Sequence, residues 1–190
     1  MRRLAVLFGL AALLAPILAL APPAKAADEP AFISFGGAVF GYPRERDQQP
    51  EFRLEYRGEK MWGDFKPVLA AAGTVCPGGI GGMFNFCPGD SFSGSGFFGA
   101  GTQLDVFLGR RVVFSPSVTA NLYTGGNADL DLDAPIVFRF QVELAYRFDN
   151  RSRLGVAISH YDNLELGSTN PGAESVTVYF SYPLTGWFGH

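Results

Sequence analysis

From Ile136 to Phe148 the chain alternates with a period of two. Ile136, Phe138, Phe140, Val142, Leu144, Tyr146 and Phe148 share one parity, and Arg139, Gln141, Glu143, Ala145 and Arg147 the other. Successive side chains of a β-strand point to opposite faces, so this stretch predicts a strand that is apolar on one side and charged on the other. Val112, Phe114, Val118 and Leu122 alternate in the same way with Ser115, Ser117, Thr119 and Asn121. Leu154, Val156 and Ile158 alternate with Arg153, Gly155 and Ala157, and Val176, Val178 and Phe180 with Ser175, Thr177 and Tyr179. A face bearing Arg and Glu together, backed by a face of Phe and Val, suits a wall between lipid and a polar interior. No segment after Ala26 sustains the 3.6-residue period of a helix.

Eight such segments can be marked, near residues 31–41, 51–60, 65–74, 95–107, 111–124, 133–148, 152–162 and 173–184. The connections at 61–64, 109–110 and 149–151 are short, whereas those at 42–50, 75–94, 125–132 and 163–172 are long. Short and long alternate throughout, as periplasmic turns and external loops do in a bacterial barrel. The predicted fold is therefore all-β, an eight-stranded antiparallel transmembrane β-barrel. Glycines such as Gly36, Gly99, Gly101 and Gly155 fit the bends of a small curved sheet. A barrel this narrow is filled by its own side chains, which argues against a wide pore. Arg139, Glu143, Arg147 and Asp105 are expected to form ion pairs inside it.

Composition narrows the class. In 190 residues there are 18 Phe, 7 Tyr and 2 Trp, too many aromatic side chains for a disordered chain and too short a chain for two domains. Arg2 and Arg3 precede an apolar run that ends in the small-x-small triplet Ala24, Lys25, Ala26, the layout of a cleaved signal peptide. Pro16, Pro22 and Pro23 interrupt the run and argue against a retained anchor. Residues 1–26 are thus read as leader and 27–190 as a single outer-membrane barrel domain. Cleavage there removes three of the 15 basic residues and none of the 18 acidic ones, leaving a net charge of −6 that makes nucleic acid an unsuitable partner. Cys76 and Cys87, the only cysteines, are candidates for a disulfide in an exported protein. No metal or cofactor is implied. Asp129, Asp131 and Asp133 lack the closing glutamate of a calcium loop and read as a solvated charged segment. Trp187, Phe188 and His190 read as periplasmic-rim residues.

One group does not fit a bare membrane wall. His160 and Asp162 continue the lipid-facing parity of the seventh segment towards the long-loop end, and Glu174 shares the lipid-facing parity of the eighth. A hairpin joining these segments brings same-face side chains to about 4.5–5.5 Å between Cβ atoms, close enough for an imidazole and two carboxyls to meet on the outer wall. Ionisable groups at such a place are costly unless they have a task or stay wet.

The run Ser159, His160, Tyr161, Asp162, Asn163, followed by Asn170, Pro171, Gly172 and Glu174, resembles the lipid A 3-O-deacylase (PagL) family. That resemblance implies an outer-membrane ester hydrolase acting on lipid A of lipopolysaccharide in the outer leaflet. It assigns His160 as general base, Glu174 as the residue orienting it, and Asn163 and Asn170 to the neighbourhood of the oxyanion. Where the family carries its nucleophilic serine this chain has Asp162, and Leu164 and Glu165 stand where small residues are expected. A carboxylate is a poor nucleophile toward an ordinary acyl ester, because the mixed anhydride lies uphill. Three routes remain open. His160 can activate water directly, flanked by Asp162 and Glu174. Another hydroxyl can serve, either Ser168 or Ser159, the latter only if a bulge turns it outward. Or the site has lost catalysis and kept a lipid-binding or structural role. The sequence leaves a homodimer open. A small-solute pore is the least favoured class.

Overall fold

The computed structural model describes residues 29–43, 48–75, 94–125, 132–169 and 171–185. The leader at 1–26, Cys76 and Cys87, Asn170, Asp129, Asp131, Trp187, Phe188 and His190 lie outside them.

Nine strands form one sheet: β1 (Phe32–Tyr42), β2 (Gln49–Arg57), β3 (Phe65–Thr74), β4 (Ser95–Leu104), β5 (Val106–Leu108), β6 (Val112–Gly125), β7 (Ile136–Arg147), β8 (Arg153–Asp162) and β9 (Ala173–Pro183). Every pairing is antiparallel, and β9 pairs with β1 to close the sheet into a barrel. β4 and β5 both lie on β6 in one continuous register, Gln103 opposite Ser117 and Val106 opposite Phe114, so together they make one stave. The molecule is thus the eight-stranded antiparallel barrel the alternation predicts, and the described residues hold no helix. The segment expected at 95–107 is interrupted at Asp105, whose side chain turns inward to Lys66 at 2.9 Å and Arg153 at 2.8 Å and accepts from Gln103 and Ser115. In this register Asp105 faces Ser115, and the adjacent Pro116 has no N–H to give to a ladder.

Burial follows the parity. Leu144, Leu154, Val156, Ile158, Val178 and Phe180 are exposed on the outer wall, where lipid would cover them, while Arg139, Glu143, Arg153, Ser159 and Thr177 are buried inside. Ladders of nine to fourteen residues are long enough to cross the hydrocarbon layer. The interior charges are paired, as expected, and the partners come from across the lumen: Arg139 with Glu55 at 2.7 Å, Arg57 with Glu143 at 2.8 Å, Arg147 with Glu29 at 2.9 Å. Such charges persist inside the wall because each faces an opposite charge. Small residues make the room. A Cβ on Gly36 would stand 2.8 Å from the Tyr179 ring, and one on Gly155 2.7 Å from the Glu143 carboxylate. At the long-loop end the lumen is stoppered by Phe40, Phe97, Leu132, Val137, Tyr161 and Ala173, with the Phe97 and Tyr161 ring centres 5.0 Å apart.

Candidate functional site

The site is written into the β8–β9 ladder, which runs without a register shift from Arg153 opposite Ser181 to Tyr161 opposite Ala173. In that register His160 pairs with Glu174, and both side chains leave the wall on its outer face. The imidazole Nδ1 lies 3.3 Å from Glu174 Oε1, and Nε2 lies 3.5 Å from Asp162 Oδ2. Side-chain exposures of 44% for His160, 39% for Glu174 and 23% for Asp162 place all three on the outer wall rather than in the stoppered lumen. On the other flank Phe140 stands opposite His160 and Phe138 opposite Asp162, so apolar rings border the polar group. Ile158, Val156 and Leu154 continue the β8 row away from the rim. A groove of about 350 Å³ opens beside them, lined by Leu144, Tyr146, Leu154, Val156 and Val178.

Backbone geometry at the loop end fixes the ring's surroundings. Asp162 Oδ1 accepts the Leu164 N–H at 2.6 Å, which leaves Oδ2 turned toward His160. Gly172 enters β9 with a φ of +59°, and a Cβ there would stand 3.3 Å from His160 Cε1. The loop thus skirts the edge of the imidazole at a point suited to glycine.

Asn163 does not join the three. It is buried, its amide donates to the Leu132 carbonyl at 2.9 Å and the Thr169 carbonyl at 2.7 Å, and its Oδ1 accepts the Glu165 N–H. Both amide hydrogens are therefore committed to the loop, and the oxyanion role expected of this side chain has no free donor in the observed conformation. Ser159 is fully buried, donates to Gln141 at 2.9 Å and sits in an unbroken ladder, so the bulge it would need to reach the lipid face is absent from β8. Asp133 accepts from the Thr169 N–H and hydroxyl, and these hydrogen bonds hold its carboxyl below the usual aspartate range.

The support behind the wall was not singled out from the sequence. Arg53, on β2 across the lumen, donates to Ser159 at 3.2 Å, Tyr161 at 2.8 Å and Ser175 at 3.0 Å, the inward neighbours of His160 and Glu174. Glu51 pairs with Arg53 at 2.6 Å and accepts from Tyr161 and Ser175. The alternation Glu51, Arg53, Glu55, Arg57 carried a signal that charge faced inward here, though not to which strands. Chemically, an imidazole held at one nitrogen by a carboxylate and facing a second carboxylate at the other can take up and return a proton beside a bound lipid.

A family model described as lipid A 3-O-deacylase (PagL) matches residues 51–183. The crystal structure of the outer membrane enzyme PagL superposes with a TM-score of 0.56 at 18% identity, covering 80% of this chain and 99% of that one. Neisserial surface protein A gives a TM-score of 0.55 at 8% identity, covering 80% of this chain and 95% of that one. At these identities the superpositions speak for the barrel fold alone. No curated protein matches the sequence significantly.

Proposed function

Because this chain belongs to the lipid A 3-O-deacylase (PagL) family of bacterial outer-membrane acyl hydrolases, we propose that it hydrolyses an acyl ester of lipid A at His160, with water as the nucleophile. Glu174 orients the imidazole through Nδ1, and Nε2 takes a proton from water as it adds to the ester carbonyl. Collapse of the tetrahedral intermediate breaks the bond to the sugar oxygen. His160 then returns the proton to that oxygen, and the fatty acid leaves. Asp162 takes no covalent part. Its negative charge supports the imidazolium formed in the transition state. Asn170 is the proposed oxyanion donor, on family resemblance. The acyl chain lies along Ile158, Val156 and Leu154, and residues 1–26 direct export. One observation carries this reading: the His160–Glu174 pair at 3.3 Å on the outer wall, where the substrate is the surrounding lipid.

A second reading, a lipid-binding barrel that has lost its chemistry, draws on Asp162 Oδ2 standing at Nε2, where an attacking hydroxyl would otherwise be held. Mass spectrometry of lipid A from cells producing the protein separates the two. Hydrolysis predicts loss of a 3-O-linked acyl chain, abolished in His160→Ala and retained or raised in Asp162→Ser, where a hydroxyl replaces the carboxylate. Intact lipid A in wild-type cells favours the second reading, and unchanged deacylation in His160→Ala removes this residue as the base.

A further inference from the structure

We propose that Asp133 and Asn163 are positioning residues, a clasp that ties the β8–β9 loop to residues 132–135 and thereby holds Asp162 and Glu174 against His160. The proposal rests on the reading of His160 as the reactive group.

The clasp starts from a fixed point. Leu132 is buried in the lumen stopper among Phe40, Phe97, Val137 and Tyr161, so its carbonyl is a rigid acceptor for the Asn163 amide. Asp133 then turns with a φ of +50° and receives the Thr169 N–H at 2.6 Å and hydroxyl at 3.0 Å. The second Asn163 amide hydrogen goes to the Thr169 carbonyl, so Thr169 is gripped from both sides. At Gly167 the backbones themselves come close: a Cβ there would fall 1.9 Å from the Asp133 carbonyl oxygen.

Two turns follow from this anchorage. The side chains of Asp162 and Asn163 accept the N–H groups two residues on, and Leu164 and Glu165 adopt φ values of +50° and +64°. Residues other than glycine keep such angles only where their surroundings over-determine them. The turn at Leu164 engages one Asp162 oxygen and leaves the other at His160 Nε2. Release of Asn163 from Leu132 and Thr169 removes what holds that turn, and with it the orientation of Asp162. The loop returns through Gly172 beside the imidazole into Glu174, so its slack reaches the other ring nitrogen as well.

The test uses the full-length protein in lipid nanodiscs. Asp133→Ala and Asn163→Ala are compared with Asp133→Asn, which still offers an oxygen to the Thr169 N–H. Heat-modifiable electrophoretic migration reports the folded barrel. The ¹⁵N resonances of the His160 ring report its partners, assigned against His160→Ala, since the chain holds only two histidines. The alanine variants are expected to migrate as folded barrels, to shift both ring resonances, and to lower kcat on lipid A about ten- to a hundredfold with KM little changed. Asp133→Asn is expected to recover most of both. If Asn163→Ala does not fold, Thr169→Val removes one of the hydrogen bonds to Asp133 and is read in the same way. Unmoved ring resonances in folded Asp133→Ala overturn the clasp, whatever the activity. Shifted resonances in a protein whose wild type leaves lipid A intact support the clasp and sink the hydrolytic reading instead.

Discussion

Gly172 shows how closely a single position bears on the imidazole. Its φ of +59° lies in the left-handed region, which costs a residue with a Cβ about 1–2 kcal/mol. The added atom would also stand 3.3 Å from His160 Cε1, tighter than an ordinary van der Waals contact, so either the loop or the ring gives way by a few tenths of an ångström. The loop is tied at Asn163 and Thr169 by hydrogen bonds as short as 2.7 Å, whereas the ring's polar contacts to Glu174 and Asp162 are longer, at 3.3 and 3.5 Å. The ring is therefore the part that moves. Gly172→Ala is expected to lower deacylation more than barrel stability, with kcat in detergent-solubilised enzyme and the temperature of electrophoretic unfolding as the two measurements. Equal kcat in the two proteins would mean that the ring tolerates displacement.

At the level of strands, the outer face of β8 and β9 is organised from inside by β2. Arg53 reaches across the lumen to Ser159, Tyr161 and Ser175, which alternate with the outward His160 and Glu174, and Glu51 closes the network. Truncating one partner of a buried, hydrogen-bonded pair leaves the other uncompensated, at a cost of about 3–5 kcal/mol. Arg53→Met is accordingly expected to lower the urea midpoint of barrel unfolding markedly, and Glu51→Gln combined with Arg53→Met to recover part of the loss, because no lone charge then remains. A double variant no better than the single one would show that hydrogen bonds, not charge balance, carry the stability. This network also marks where sequence reading stops. Alternation at Ile136–Arg147 and Arg153–Asp162 revealed which face each residue takes, since parity is a property of one strand. His160 and Glu174 were legible as a pair because one hairpin joins them. Apart from Glu51, two residues away, the acceptors of Arg53 lie far along the chain, Ser159 being 106 residues on, and the acceptors of the Asn163 amide are loop carbonyls, so neither set leaves a local pattern. The break at Asp105 leaves no local pattern for the same reason, its carboxylate being turned in by Lys66 and Arg153 from other staves.

Taken whole, the molecule turns the usual division of labour in a small barrel outward. Its lumen is occupied by Arg57, Arg139, Arg153, Tyr161 and Tyr179, all buried, with guanidinium groups paired to Glu55, Glu143, Glu29 and Asp105. Phe40, Phe97 and Leu132 close its long-loop end. An ion entering such a lumen would have to displace paired charges and part packed rings, each step costing more than the water it leaves behind returns. Protein reconstituted in planar bilayers is therefore expected to give no step conductance, and none should appear in His160→Ala or Asp162→Ser, which alter only the outer face. Regular conductance steps from the wild type would mean that the lumen opens, and would make a path through the barrel available to solutes. With the lumen closed, the lipid of the proposed reaction meets this protein from the membrane side, across the row of Ile158, Val156 and Leu154, and the only titratable groups on the outer face of β8 and β9 are His160, Asp162, Glu174 and Tyr182. The first three stand together at the rim, where a lipid's ester linkages lie near water and its acyl chains reach down the wall, so the chemistry proposed at His160 is offered to lipid rather than to a solute in the lumen.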